Sequence, residues 1–210
     1  GTPEFIQGLS KACDEHGLLL ILDEIQCGYG RTGKMWAYEH YGITPDILTS
    51  AKGIGGGFPL GACLATEEAA KGMVAGTHGS TYGGNPLGIA AANAVLDVIE
   101  EEDLCARAND LGGRLKQRLE AIRSVTPEII DIRGPGFMVA VEFGKPGTTE
   151  PDAGFTGRVR LEALKRGLIL LTCGVYGNVI RFLAPITIPE AHFAEAMDIL
   201  EEAVAAARTV

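Results

Sequence analysis

Cysteine pairs, basic residues and long apolar runs are scarce in this sequence, and each shortage excludes a class of protein. The five cysteines are scattered without a CxxC pair, which argues against a disulfide framework and a zinc site and predicts no bound metal. Lysine and arginine number 18 against 27 aspartates and glutamates, and a net negative charge disfavours nucleic-acid binding because phosphates are repelled. No run approaches the roughly 18 apolar residues of a membrane span.

The first residues, GTPEFIQGL, contain neither a basic region nor a long apolar core. We therefore expect no signal peptide. Together with the unpaired cysteines, this favours a cytoplasmic protein with no membrane partner.

The apolar pattern of the first half of the chain predicts alternating helices and strands. Residues 4–16 have helical spacing, and residues 34–41 could form a short helix. The run LLLIL at 18–22 predicts a strand buried on both faces, and DILTSA at 46–51 and LGACLAT at 60–66 predict two more strands. This order indicates an α/β layer with ligand groups at the carboxyl ends of the strands.

The second half of the chain has a different texture. Two helices are predicted at 86–101 and 103–123, and an α+β unit follows them. Its predicted elements are the strand GFMVAVEF, a helix ending near Arg166, the paired strands GLILLTC and NVIRFLA, and a last helix. The last helix begins at a capping box from Thr187 to Glu190 and carries an apolar stripe of Phe193, Met197, Leu200 and Val204. We therefore divide the chain into domains 1–100 and 101–210.

The glycine-rich stretch GYGRTGKM at Gly28–Met35 matches the dinucleotide pattern GxGxxG and nearly matches the phosphate-loop pattern GxxxxGK. A phosphate loop needs a hydroxyl after its lysine, and Met35 has none. A dinucleotide site needs an acid at the end of the next strand, whereas Asp46 stands at its beginning. Both interpretations are disfavoured, although an NAD-dependent oxidoreductase stays an alternative.

Charged side chains follow two predicted strands at the point where each strand ends. Asp23 ends the first strand and Lys52 ends the second, with Gln26 just after Asp23. Carboxyl ends of parallel strands emerge at one edge of a sheet, where such folds bind ligands. Each residue alone could be a solvated strand end, but their joint placement before GIGGGFPLG favours a ligand site.

Three segments, ILDEIQCGYGRTG, PDILTSAKGIGGGFPLGA and GSTYGGNP, together resemble the class III, or omega, aminotransferases, which are pyridoxal phosphate (PLP) enzymes of fold type I. The resemblance runs along the whole chain but covers only about the carboxyl-terminal half of a full family member. It implies an α/β fold: part of the mixed or parallel sheet of the large PLP-binding domain, then a small α+β carboxyl-terminal domain.

The resemblance implies a role for three residues of the first domain. Lys52 matches the lysine that forms the internal Schiff base and shuttles the proton. Asp23 matches the carboxylate that pairs with the pyridinium nitrogen, and Gln26 matches the glutamine beside the ring hydroxyl. A carboxylate beside the ring nitrogen favours its protonated form and so strengthens the electron sink.

Two further residues have both a local and a family interpretation. Thr81 could be a turn residue before the helix cap at Asn85, or, by resemblance, the threonine that binds the cofactor phosphate of the neighbouring subunit in a homodimer. Arg181 lies in the apolar run VIRFLAP, where a guanidinium requires an ion pair or a ligand carboxylate. By resemblance it grips the α-carboxylate of glutamate or 2-oxoglutarate.

The implied reaction is transamination of an omega-amino acid with 2-oxoglutarate as amino acceptor. Residues 46–97 resemble acetylornithine aminotransferases. The segments EEEDLCARANDLGGRLKQRLEAI and GLILLTCGVYGNVIRFLAPITIPEA resemble 4-aminobutyrate aminotransferases instead, and we expect 4-aminobutyrate as the donor.

By resemblance, the phosphate-binding loop, the stacking aromatic residue and the acid that can pair with Arg181 lie upstream of Gly1. We therefore expect weak PLP binding and no turnover from this chain alone. The alternative is a non-catalytic chain that completes another chain's site.

Overall fold

The computed structural model of this protein describes residues 1–209, which divide into two compact units. The first unit is Gly1–Cys105, and the second begins at Ala106. Within the described residues, no helix combines the length and the apolar character that crossing a membrane requires. The assignment of 1–100 and 101–210 as domains stays a prediction.

The first unit contains a three-stranded sheet in the order β1-β2-β3. The strands are β1 (Ile21–Asp23), β2 (Ile47–Ala51) and β3 (Gly61–Ala65). β1 pairs with β2 in parallel, and β3 pairs with β2 antiparallel. The three strands predicted for this half are therefore present, and β1 and β2 end at the same edge of the sheet.

The burial predicted for the run LLLIL is wrong in the described chain. Leu18 and Leu19 precede β1 rather than belonging to it, and their exposures are 60% and 51%. Ile21 in the strand is 58% exposed. The reason is that β1 is an edge strand and that the preceding helix, α1 (Pro3–His16), buries none of its own residues.

Helix boundaries in the first unit follow local capping chemistry. Thr2 accepts a hydrogen bond from the Phe5 amide at the start of α1, and Gly17 ends the helix with φ 63°. The short helix α2 (Glu67–Ala70) is followed by α3 (Pro86–Glu101), which Asn85 caps by accepting from the Gly88 amide at 2.8 Å. The helix predicted at 34–41 is only a four-residue 3₁₀ helix, Ala37–His40.

The second unit packs helices with a four-stranded antiparallel sheet of order β4-β5-β7-β6. The sequence prediction omits β4, because its five residues include an acid and a base and form no distinct apolar run. The elements are α4 (Leu104–Arg123), β4 (Ile129–Arg133), β5 (Val139–Phe143), α5 (Ala153–Lys165), β6 (Leu171–Cys173), β7 (Val179–Phe182) and α6 (Glu190–Ala207).

The apolar stripe predicted for α6 is confirmed, since Phe193, Met197, Leu200 and Val204 are all buried. The capping box predicted at its start is wrong. The residue before the helix is Pro189, which has no side-chain cap.

Ion pairs to arginines of α4, rather than a cap by a threonine hydroxyl, hold the start of α6. The Glu190 carboxylate accepts from Arg114 at 2.8 Å and from Arg107 at 3.3 Å. Arg107 also donates to the carbonyl oxygens of Ile186 and Ile188, at 2.8 and 2.6 Å. The carboxylate that the sequence pattern assigned to a capping box is therefore bound by arginines.

Helix α4 contains two consecutive glycines with opposite surroundings. A Cβ at Gly112 would lie 1.7 Å from the carbonyl oxygen of Gly136, whereas a Cβ at Gly113 would meet nothing within 4 Å. Gly112 therefore permits a close backbone approach, and Gly113 has no such role.

This contrast predicts opposite effects of two identical substitutions. Gly112→Ala should lower the free energy of unfolding by about 3 kcal/mol or more, because backbone atoms must shift. Gly113→Ala should raise it by up to about 1 kcal/mol, because alanine favours helix. Urea unfolding followed by circular dichroism measures both, and equal effects would contradict the packing described here.

Candidate active site

Asp23 and Lys52 leave the sheet at the same edge. Asp23 lies opposite Thr49 in the parallel pairing of β1 with β2. Lys52 directly follows Ala51, the last residue of β2. Both side chains are exposed. The two strand ends therefore present an acid and an amine on neighbouring strands, as the sequence led us to expect, and their roles stay predictions.

Hydrogen bonds from Asp46 hold the start of β1 in this register. Its Oδ2 accepts from the Leu20 amide at 2.7 Å, and its own amide donates to the Leu20 carbonyl at 3.0 Å. Asp46 was considered above as a ribose ligand placed at the wrong end of the strand. Its observed contacts are structural.

The backbone around Lys52 is strained and tightly packed. Lys52 has φ 51°, in the left-handed region that non-glycine residues rarely occupy, and it begins a 3₁₀ helix, Lys52–Gly55. A Cβ at Gly56 would lie 2.8 Å from a methyl carbon of Val95 in α3. Strained residues cluster at functional sites because the surrounding structure must hold them in place. The turn therefore holds the Lys52 backbone in place and fixes the direction in which its side chain leaves the sheet.

The segment after β1 begins with a tight turn. The Asp23 carboxylate accepts from the Ile25 amide at 2.9 Å, and the Cys27 thiol lies 3.5 Å from the Asp23 carbonyl oxygen. Gln26 is half-buried within this turn. Asp23 and Gln26 thus belong to one local structure.

Sequence reasoning missed Glu24, whose side chain is buried although that of Asp23 is exposed. Its carboxylate accepts from the amides of Ala37 and Tyr38 and from the Cys27 thiol. The signal was present in the pair Asp23–Glu24, because neighbouring side chains of an extended chain point in opposite directions.

The glycines of GYGRTGKM serve packing and turn geometry. A Cβ at Gly28 would lie 2.8 Å from the Trp36 ring, and Gly30 and Gly33 have φ 79° and 86°. Tyr29 packs edge-to-face on Trp36, with ring centroids 5.2 Å apart. Both nucleotide patterns need a helix that begins at the glycines, and the described residues between β1 and β2 contain only the 3₁₀ helix at 37–40.

The same glycine-rich loop reaches the lysine turn. A Cβ at Gly53 would lie 3.4 Å from the Cβ of Tyr29. Tyr29 of the loop that begins at Asp23 therefore stands beside the turn that begins at Lys52, next to the space that a side chain at residue 53 would occupy.

The remaining predicted site residues lie elsewhere. Thr81 belongs to the exposed stretch 71–84 that precedes α3. Arg181 lies in the second unit on β7, an inner strand between β5 and β6, and is half-buried. It lines a mainly apolar cavity of about 250 Å³ together with Phe182, Phe193 and Met197. The structure thus brings Asp23, Gln26 and Lys52 to one sheet edge and holds Arg181 in the other unit.

Comparison with known proteins identifies the family of this chain. Residues 1–204 match the profile of the family described as Aminotransferase class-III. The chain belongs to the class III aminotransferases. The match to the family profile therefore confirms the resemblance found in the three sequence segments.

Relatives with three different substrate names are almost equally similar to this class III chain. It is 46% identical over 202 residues to a 4-aminobutyrate aminotransferase of Escherichia coli. The match covers 96% of this chain and 47% of the relative. The 5-aminovalerate aminotransferase of Pseudomonas aeruginosa gives 47% with the same coverage. An acetylornithine aminotransferase of Mesorhizobium japonicum gives 46% identity over 92% of this chain and 46% of the relative. The chain spans about half the length of these relatives.

A solved structure supports the fold. A transaminase from the marine bacterium Virgibacillus superposes with a TM-score of 0.91 at 27% identity, over 99% of this chain and 49% of the other. The predicted α/β fold of PLP-dependent transaminases is thereby confirmed.

The two cysteines of the site region are predicted to differ in reactivity. Burial raises the pKa of the Cys27 thiol to about 12, and its hydrogen bond to Glu24 acts in the same direction. Roughly one Cys27 in ten thousand would then carry a thiolate at pH 8. Cys63 is exposed on β3.

Brief iodoacetamide treatment should modify Cys63 and spare Cys27 from pH 8 to pH 10, and both should react in urea. Peptide mass spectrometry measures the modification of each cysteine. Equal rates in the folded protein would contradict this difference.

Proposed function

We propose that this chain supplies part of the site of a PLP-dependent aminotransferase that moves an amino group from an omega-amino acid to 2-oxoglutarate. The observation that carries the proposal is the exit of Asp23 and Lys52 at one edge of adjacent parallel strands. Class III aminotransferases use PLP. An exposed acid and an exposed amine at the ends of adjacent strands suit a cofactor that carries both a basic ring nitrogen and an aldehyde.

Lys52 is the proposed catalytic amine. A primary amine condenses with an aldehyde, and the same group can then move a proton as general base and acid. When bound, PLP supplies the electron sink for the substrate carbon that loses its proton. The strained turn at Lys52 holds the base of the side chain in one direction, which favours a defined path for that proton.

Asp23 and Gln26 are the proposed partners of the cofactor ring. The Asp23 carboxylate would favour a protonated ring nitrogen through charge. The Gln26 amide would bond the ring hydroxyl. Both belong to the turn after β1, so one local structure would orient the ring.

Thr81 is the proposed contact to a partner subunit in a homodimer. Its hydroxyl suits a phosphate, and its place in the exposed stretch 71–84 keeps it accessible to another chain. The five free cysteines accord with a cytoplasmic location, which we include in the proposal.

Arg181 is the proposed ligand for the α-carboxylate of glutamate or 2-oxoglutarate. A guanidinium binds a carboxylate in a bidentate fork. The mainly apolar lining of the adjacent cavity would strengthen such an ion pair by lowering the local dielectric constant.

The proposed donor is 4-aminobutyrate, and acetylornithine is the second candidate. The segments around α4 and around β6 and β7 favour the first, whereas residues 46–97 favour the second. The relatives named for 4-aminobutyrate and 5-aminovalerate also show that donors of different chain length occur at this level of similarity. All these donors share a primary amine at the end of a carbon chain.

The lysine assignment predicts a site-specific label. After incubation with PLP and reduction with borohydride, peptide mass spectrometry should find the pyridoxyl group mainly on Lys52. Lys52→Ala should abolish that label and the accompanying visible absorption band. Lys71→Ala, an exposed lysine paired with Glu68, is the matched control and should label like wild type. Comparable label on Lys71 and Lys52 in the wild type would contradict the assignment.

The length of the chain predicts a second outcome. Supplied with PLP, 2-oxoglutarate and either 4-aminobutyrate, 5-aminovalerate or N-acetylornithine, this chain alone should form no glutamate above the rate without protein. The reason is that the match covers only 47% of the 4-aminobutyrate aminotransferase relative, and we expect the family's phosphate loop and stacking aromatic residue in the part that this chain does not span. Turnover at ordinary enzyme rates, about 1 per second or more, would show that residues 1–210 contain a complete site.

A further inference from the structure

Glu24 is the single fully buried acidic side chain among the described residues 1–209, with 2% exposure. Burying a carboxylate is strongly unfavourable unless hydrogen bonds or charges compensate for the lost water. A buried acid next to the exposed Asp23 therefore requires a specific set of donors.

The donors come from one loop and satisfy both carboxylate oxygens. Oε1 accepts from the Tyr38 amide at 2.8 Å, and Oε2 accepts from the Ala37 amide at 3.0 Å. The Cys27 thiol donates to Oε2 at 3.0 Å. Hydrogen bonds to a charged acceptor are about twice as strong as neutral ones. The carboxylate therefore fastens residues 27–38 from both ends.

The backbone of Glu24 connects this loop to the sheet. Its amide donates to the Thr49 carbonyl of β2 at 2.9 Å, and its carbonyl accepts from the Gly28 amide at 3.0 Å. Thr49 lies three residues before Lys52. One residue thus joins β2, the glycine loop and the 3₁₀ helix at 37–40.

The loop that the Glu24 carboxylate holds by hydrogen bonds also lies beside the lysine turn. Tyr29, with φ 55°, packs edge-to-face on the Trp36 ring, and its Cβ would lie 3.4 Å from a Cβ added at Gly53. Movement of Ala37 and Tyr38 away from Glu24 would release Trp36, and with it the position of Tyr29 beside Gly53.

We propose that Glu24 is a positioning residue: its buried carboxylate holds the 27–38 loop so that Asp23, Gln26 and the Lys52 turn keep one arrangement. The proposal rests on the proposed function of Asp23 and Lys52. Glu24 itself is directed away from the exposed edge where those two side chains stand, and acts through the loop.

The test is Glu24→Gln, with Thr32→Val as the matched control. Glutamine keeps the volume but has one acceptor oxygen, so its amide group would face one of the two backbone N–H donors. Thr32 is equally buried in the same loop, at 1% exposure, and its hydroxyl lies 3.2 Å from His40 Nε2. Both substitutions are thus nearly isosteric. Glu24→Gln disturbs the hydrogen bonds from Ala37 and Tyr38, whereas Thr32→Val removes the contact with His40.

The first readout is hydrogen exchange of the protein without cofactor. Glu24→Gln should speed exchange about tenfold or more at the Ala37 and Tyr38 amides and at the Gly56 amide, which donates to Gly53 in the lysine turn. Thr32→Val should speed exchange only within residues 32–40. Unchanged exchange at Gly56 in Glu24→Gln would overturn the proposal whether or not PLP binds.

The second readout is the yield of reductive pyridoxyl label on Lys52. Glu24→Gln should lower it about tenfold, since a 1 Å misplacement can be that costly, and Thr32→Val should stay within about twofold of wild type. A wild-type yield retained by Glu24→Gln would overturn the proposal. Absence of label in the wild type would contradict the proposed function instead, and the exchange result at Gly56 would still decide the role of Glu24.

A milder variant keeps the test valid if Glu24→Gln does not fold. Ala37→Pro removes one of the two backbone donors, and proline suits this position because it begins a helix and follows an extended residue, Trp36, with φ −123° and ψ 142°. The Gly56 amide should exchange faster in Ala37→Pro than in wild type. Exchange equal to that of wild type would count against the proposal.

Discussion

The parallel pairing of β1 with β2 is the contact on which the candidate site depends. It aligns only three residue pairs, from Ile21–Ile47 to Asp23–Thr49. Side chains of a strand alternate between faces, so a slip of one residue would turn Asp23 to the other face of the sheet. So short a ladder needs support at both ends: the Asp46 carboxylate accepts from the Leu20 amide at the start, and the Glu24 backbone amide donates to the Thr49 carbonyl at the finish.

The stretch Gly28–Met35 shows how one pattern of glycines can arise from unrelated physics. In nucleotide-binding loops, glycines let a backbone approach phosphates at the start of a helix. Here Gly28 makes room for the Trp36 ring, and Gly30 and Gly33 occupy positive φ. The loop ends in a single 3₁₀ turn whose first amides bond a buried carboxylate. The spacing is shared, but its surroundings decide what it does.

Periodic elements were predictable because their signal is repeated along the chain. The helices α3, α4 and α6 show apolar residues at helical spacing, and the α6 stripe is buried as predicted. Single-residue signals were less informative. The capping box before α6 failed because Arg107 and Arg114, more than 70 residues earlier in the chain, bind Glu190. β4 was missed, and the LLLIL run is exposed because nothing in α1 covers it.

The sequence by itself determined the family, the long helices, most strands and the placement of Asp23 and Lys52 at strand ends, because motif spacing and periodicity are local properties. Only the tertiary structure decided that Glu24 turns inward while its neighbour Asp23 faces out, that Gly112 touches the backbone at Gly136, and that Tyr29 meets the turn of Lys52. Each of these facts depends on segments that are distant in sequence and meet only on folding. A carboxylate in particular reveals its role only when its hydrogen-bond donors are known.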